Sequence, residues 1–78
     1  MTIQGLHFSV CKSRPPGREN CESREIAMAH LDAKIESARS SEGSAGMLDN
    51  GKWELHFPNM SMVLYWVEDP NGDVQRFP

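Results

Sequence analysis

Apolar and polar residues alternate along this chain with two different periods. Over residues 2–11 (TIQGLHFSVC) the period is two: Leu6, Phe8 and Val10 alternate with His7, Ser9 and Cys11. That pattern predicts a strand with one buried face, and Gly5 marks its frayed start or a bulge. Residues 12–19 (KSRPPGRE) hold two prolines and a glycine and predict a loop. From about residue 20 to about residue 40 the period lengthens to that of a helix. Cys21, Met28, Leu31, Ile35 and Ala38 fall on one side. Arg24 projects near the same side, where its stem can cover the core edge while its head reaches water. Asn20 or Ser23 is the expected N-cap, and Glu19, Glu22 and Glu25 sit where the helix dipole favours negative charge. The run SSEGSAG (40–46) ends the helix and reads as a flexible connector.

Beyond Met47 the period returns to two. Asn50-Gly51 is a turn signal. KWELHF (52–57) puts Trp53, Leu55 and Phe57 on one face and Glu54 and His56 on the other. Pro58-Asn59 begins another turn. SMVLYWVE (61–68) is apolar on both faces, as a central or doubly covered strand would be. DPNGD (69–73) is a turn, with Pro70 preset for it and Gly72 free to take positive φ, and DVQRF (73–77) is a short last strand. No internal repeat is visible. The expected architecture is α+β: a two-layer sandwich of one long helix on a four-stranded, mainly antiparallel sheet, in the order β-α-β-β-β. The helix packs through Met28, Leu31 and Ile35, and the last three strands form a meander. The place of the first strand in the sheet stays open.

With 78 residues, the expectation is a single α+β domain over 1–78. A hydrophobic fraction of 38% with 24% charged residues fits a folded chain. Of the aromatics Phe8, Trp53, Phe57, Tyr65, Trp66 and Phe77, all but the first lie in the last third, which should anchor the core. A net charge of −3 argues mildly against a general nucleic-acid binder. No early apolar run resembles a signal peptide, and no segment is long enough to span a bilayer, so a cytoplasmic location without membrane contact is expected. Cys11 and Cys21 are then reduced thiols, a disulfide between them being the alternative. Their spacing fits neither a CxxC redox motif nor a paired zinc site.

The helix also carries a line of acids. Glu22, Glu25, Asp32 and Glu36 recur at helical spacing beside the apolar stripe, with Ala29 completing the line. Glu22–Glu25 and Asp32–Glu36 are like-charge neighbours, each costing a few tenths of a kcal/mol. Glu36–Arg39 is the clearest opposite pair. A line that weakens its own helix points to a basic partner; an ordinary solvated face, or one neutralised by Lys12, Arg14 and Arg18, is the bland alternative. Ile26 and Ala33 point away from the core stripe, with Ala29 beside them. An apolar patch rimmed by acids has the composition of a small interface, although a lone exposed isoleucine is common.

Other constellations are weaker. Lys12, Arg14, Arg18 and Arg24 lie close in sequence and could contact phosphates. Glu19 and Glu22 are interleaved with them, and no aromatic platform accompanies them. The candidate ligands His7, Cys11, Cys21, His30 and His56 lack zinc spacing, and His7 and Cys11 on one strand are about 13 Å apart. No nucleophile elbow, P-loop or glycine-rich phosphate turn is present, and a chain this small has little room for a desolvated pocket, so neither enzymatic activity nor a cofactor is expected. In 61–68 the helix can cover one alternating set, Val63, Tyr65 and Val67 or Met62, Leu64 and Trp66. The other is left for loops 12–19 and 40–46, or for a homodimer, which the reading places on the Val63–Tyr65–Val67 face.

The expectation is therefore a non-enzymatic protein-binding module. It would present Glu22, Glu25, Ile26, Ala29, Asp32, Ala33 and Glu36 to the basic surface of a larger protein, with charge complementarity setting rate and specificity. Inhibition is a natural role, because carboxylates can stand where phosphates would sit in a nucleic-acid groove. Small acidic motif-free chains are common among phage and mobile-element inhibitors such as anti-CRISPR proteins, which is a property of the size class. The alternatives are a nucleic-acid-associated module using Lys12, Arg14, Arg18 and Arg24, and a structural homodimer.

Overall fold

A computed structural model describes residues 7–76. The expected positions 2–6, including Gly5 and Leu6, and Phe77 of the last strand lie outside the described residues. The architecture is α+β, with one helix packed on an antiparallel sheet. The elements are β1 (Phe8–Ser13), β2 (Pro16–Cys21), α1 (Arg24–Ser40), β3 (Ser44–Met47), β4 (Trp53–His56), β5 (Val63–Glu68) and β6 (Val74–Gln75). The sheet runs β2-β1-β5-β4-β3. β1 occupies one edge of β5 through Glu68, so β6, paired at Val67 and Glu68, lies on the other edge, beyond the end of β4.

The sheet thus has six strands where four were expected, and both missed strands are edges. The expected loop 12–19 is mostly a hairpin, with Ser13 opposite Pro16 and Phe8 opposite Cys21. Pro16 is tolerated because it opens an edge strand, where a missing N–H breaks no ladder. The expected connector 40–46 contributes Ser44–Met47 as β3, paired only to β4. An edge strand has one bonded neighbour, and here neither edge shows the apolar alternation by which inner strands are recognised. The first strand settles beside β5, with Val10 opposite Val67.

The helix begins later than expected. Ser23 is its N-cap, its hydroxyl accepting from the Ile26 N–H at 3.2 Å. Cys21 ends β2, and Glu22 also precedes the helix, so neither belongs to the helical stripe. The C-terminus falls where expected. It closes in a Schellman arrangement: the Gly43 N–H reaches Ala38 O at 2.8 Å and the Glu42 N–H reaches Arg39 O at 3.2 Å. Glu42 takes the left-handed position there, at φ 68°.

Ala27, Met28, Leu31, Ile35 and Ala38 face the sheet and are buried. They meet Val10, Cys21, Leu55, Val63 and Val67, with Phe8, Ala45, Trp53, Phe57 and Tyr65 packed around them. Full burial of Leu31, Ile35, Leu55 and Val67 contributes about 1.5–3 kcal/mol each. The helix therefore covers the Val63–Tyr65–Val67 set. The expectation that this face is the uncovered one is therefore corrected: Val63 and Val67 lie in the core, with Tyr65 packed against it. The two turn glycines behave as read, with Gly51 at φ 88° and Gly72 at φ 90°.

Candidate interaction surface

Helical periodicity sorts the exposed side of α1 into three strips. Glu25, Ala29, Asp32, Glu36 and Arg39 follow each other at intervals of four, three, four and three residues on one flank. That flank leans toward β4, because the Arg39 guanidinium lies 6.0 Å from the Trp53 ring centroid. Ile26 and Ala33 occupy the crest with Ala29 beside them, and Ile26 is 41% exposed. His30 and Lys34 form the opposite flank, toward β1 and β2. His30 Nδ1 is 3.5 Å from Glu19 Oε1, and Lys34 Nζ is 6.0 Å from the Tyr65 ring centroid.

Of the residues singled out in the sequence, Glu25, Ile26, Ala29, Asp32, Ala33 and Glu36 come together on this outer helix surface, all exposed. Glu22 is exposed as well but sits before the N-cap. Glu36 pairs loosely with Arg39 at 3.7 Å. Among the described residues Glu25 and Asp32 form no salt bridge. The basic residues do not gather. Arg14 stands exposed at the hairpin turn, and Lys12 points to the helix side, in register with Gly17 and Tyr65. Arg18 lies on the other sheet face, and Arg24 donates to Arg76 O at 3.2 Å.

On the sheet face away from the helix, long side chains lie over part of β1 and β5, while Leu64 and Trp66 stay partly exposed. Arg18 Nη2 meets Glu68 Oε1 at 2.7 Å, and the Trp66 indole N–H donates to Glu68 Oε2 at 2.8 Å. Lys52 Nζ lies 4.1 Å from the Trp66 ring centroid, a close cation–π contact. Ser9 Oγ donates to Asn20 Oδ1 at 2.9 Å. Under this cover Ser9 and Cys11 are buried. The Trp66 hydrogen bond, joined by Arg18 and opposed by burial, holds the Glu68 carboxyl below its usual range. Burial pushes the Cys11 thiol up, and the Glu68 charge adds to the effect; burial also raises Cys21. Both cysteines are free thiols.

The sequence reading missed this Arg18–Glu68–Trp66 network because its members come from strands distant in the chain. It also missed the cationic flank, where Lys34 and His30 at four-residue spacing were the available signal. Among the described residues, no group of three or more His, Cys, Asp or Glu side chains is placed to hold a metal ion. No described helix is long and apolar enough to cross a membrane. No family model matches the chain, and neither a curated protein nor a solved structure does.

Proposed function

We propose that this chain is a non-enzymatic protein-binding module that docks the outer surface of α1 on a basic surface of a larger protein. The observation that carries the reading is the acidic flank itself. Glu25, Asp32 and Glu36 stand exposed on one rigid helix beside the apolar crest of Ile26, Ala29 and Ala33, with Glu25 and Asp32 forming no salt bridge among the described residues. An apolar centre with a charged rim is the usual composition of a small interface. The rim steers a cationic partner and fixes its register, while burial of Ile26 supplies part of the affinity. Occlusion of a nucleic-acid or substrate groove, that is, inhibition, follows if the partner's basic surface is functional.

The test is affinity capture with three proteins: the wild type, a Glu25→Lys/Asp32→Lys/Glu36→Lys variant, and a Lys34→Glu variant that alters only the opposite flank. A partner held by wild type and Lys34→Glu but lost by the triple variant supports the reading, provided circular dichroism shows all three folded. Equal capture by all three sinks it.

A further inference from the structure

The side of α1 away from the acidic flank forms a cleft of about 310 Å³ with the β1–β2 hairpin. Lys12, Gly17, Glu19, His30, Lys34 and Tyr65 line it. Gly17, Lys12 and Tyr65 are in register across β2, β1 and β5, so they make one row of the helix-facing sheet surface. Gly17 leaves this row without a side chain at its outer end. A Cβ there would lie 3.1 Å from Lys12 Cε, so the Lys12 stem lies close over the bare Gly17 backbone and would have to shift by a few tenths of an ångström to admit a side chain. Among the described residues neither Lys12 nor Lys34 has a carboxylate partner. The one carboxylate in the lining, Glu19, is engaged with His30 at 3.5 Å.

We infer that this cleft binds a small phosphomonoester. Two ammonium groups without a carboxylate partner line it, Lys12 from β1 and Lys34 from the helix, so its positive charge comes from two different elements, and the His30 imidazole adds a hydrogen-bonding group. Ammonium groups act as point charges and suit a tetrahedral dianion, whereas a planar carboxylate is best held by a guanidinium fork. Arg18 also borders the cleft, but its guanidinium is held by Glu68 at 2.7 Å on the other sheet face. The volume lies at the lower end of the range of small-molecule sites. It exceeds the size of a bare phosphate, and the partly buried Tyr65 ring, with Lys34 Nζ 6.0 Å from its centroid, adds an aromatic surface for the ester's organic group. The site is separate from the acidic flank, so it stands whether or not that flank binds a protein.

The test is a nuclear magnetic resonance titration of the full chain at constant ionic strength with phenyl phosphate, inorganic phosphate and benzoate. Phenyl phosphate is expected to give saturable shifts centred on Gly17, Glu19, His30, Lys34 and Tyr65, and to bind more tightly than the other two. Lys34→Ala changes an exposed helix position and should keep the fold, as circular dichroism would check; it should weaken binding at least tenfold. Glu19→Gln removes the opposing carboxylate and should strengthen it severalfold. Shifts that stay linear with concentration would overturn the inference. So would saturation unchanged in Lys34→Ala, or tighter binding of a phosphodiester oligonucleotide at the same residues, which would make the cleft a nucleic-acid contact.

Discussion

Arg18 on β2 and Glu68 on β5, fifty positions apart in sequence, meet at 2.7 Å across β1, the strand that carries the buried Cys11. The pair lies beside buried Ser9 and Cys11 on the sheet face that the helix leaves bare, and the Trp66 indole N–H also binds the carboxylate, at 2.8 Å. Side chains thus cover part of the second sheet face of this two-layer chain, and Leu64 and Trp66 remain partly exposed on it.

The Glu68 carboxyl titrates below its usual range because the folded state stabilises its ionised form. A depressed folded-state pKa contributes stability that is fully present above the unfolded pKa and is lost as pH falls through the folded one. Urea unfolding of wild type and Glu68→Gln should therefore differ by about 1–2 kcal/mol at neutral pH, the exposure of Arg18 keeping the value low. The difference should shrink below the ordinary carboxylate range. A gap that persists unchanged at pH 3 would contradict this.

Cys11 and Cys21 are buried and their thiols are raised, chiefly by burial. Both should resist alkylation at neutral pH in the folded protein and react promptly in denaturant. Mass spectrometry of iodoacetamide-treated protein checks this. Rapid labelling of either thiol in the native state would show that the cover over that residue opens.

The turn from α1 into β3 makes opposite predictions for two adjacent residues. Glu42 sits at φ 68°, where glycine is at ease, so Glu42→Gly should stabilise the fold by roughly 0.5–1 kcal/mol. Gly43 is pressed against β4: a Cβ there would lie 1.8 Å from His56 O. Gly43→Ala must displace backbone and should cost about 1–3 kcal/mol or more. Thermal melts of the two variants should move in opposite directions.

Asp32 and Glu36 repel each other at four-residue spacing on the exposed helix. Asp32→Asn should raise stability by roughly 0.2–0.5 kcal/mol at low salt, and the gain should vanish in concentrated salt. If the same change weakens capture of a partner, the acidic flank is kept at a cost to stability, as a binding surface would be. A variant less stable than wild type at low salt would mean that Asp32 has a favourable contact the repulsion does not outweigh.

The acidic flank was legible almost whole because a helix maps sequence spacing directly onto a surface. Glu25, Ile26, Ala29, Asp32, Ala33 and Glu36 needed only their intervals to be placed together. Glu22 was misplaced because the helix start depends on the cap, and Ser23 rather than Asn20 takes that role. The cationic cleft was not legible. Lys12 and Gly17 read as loop residues, and Lys34 read as one more charge on a solvated helix. They become neighbours only when β2 folds back on β1 and the helix crosses both.

The sequence by itself determined what local geometry can carry. That is the apolar stripe Met28–Leu31–Ile35–Ala38, the inner strands around Leu55 and Val63, and the turns at Gly51 and Gly72. Each is set by a period or by a backbone conformation that few residues tolerate. The tertiary structure alone decided the sheet order β2-β1-β5-β4-β3, the two edge strands, and which face of β5 the helix covers. β5 is apolar on both faces, so its own pattern is degenerate. The choice falls to long-range packing: Leu31 and Ile35 fill the space over Val63 and Val67, while Trp66 can be satisfied on the other side by Glu68 and Lys52.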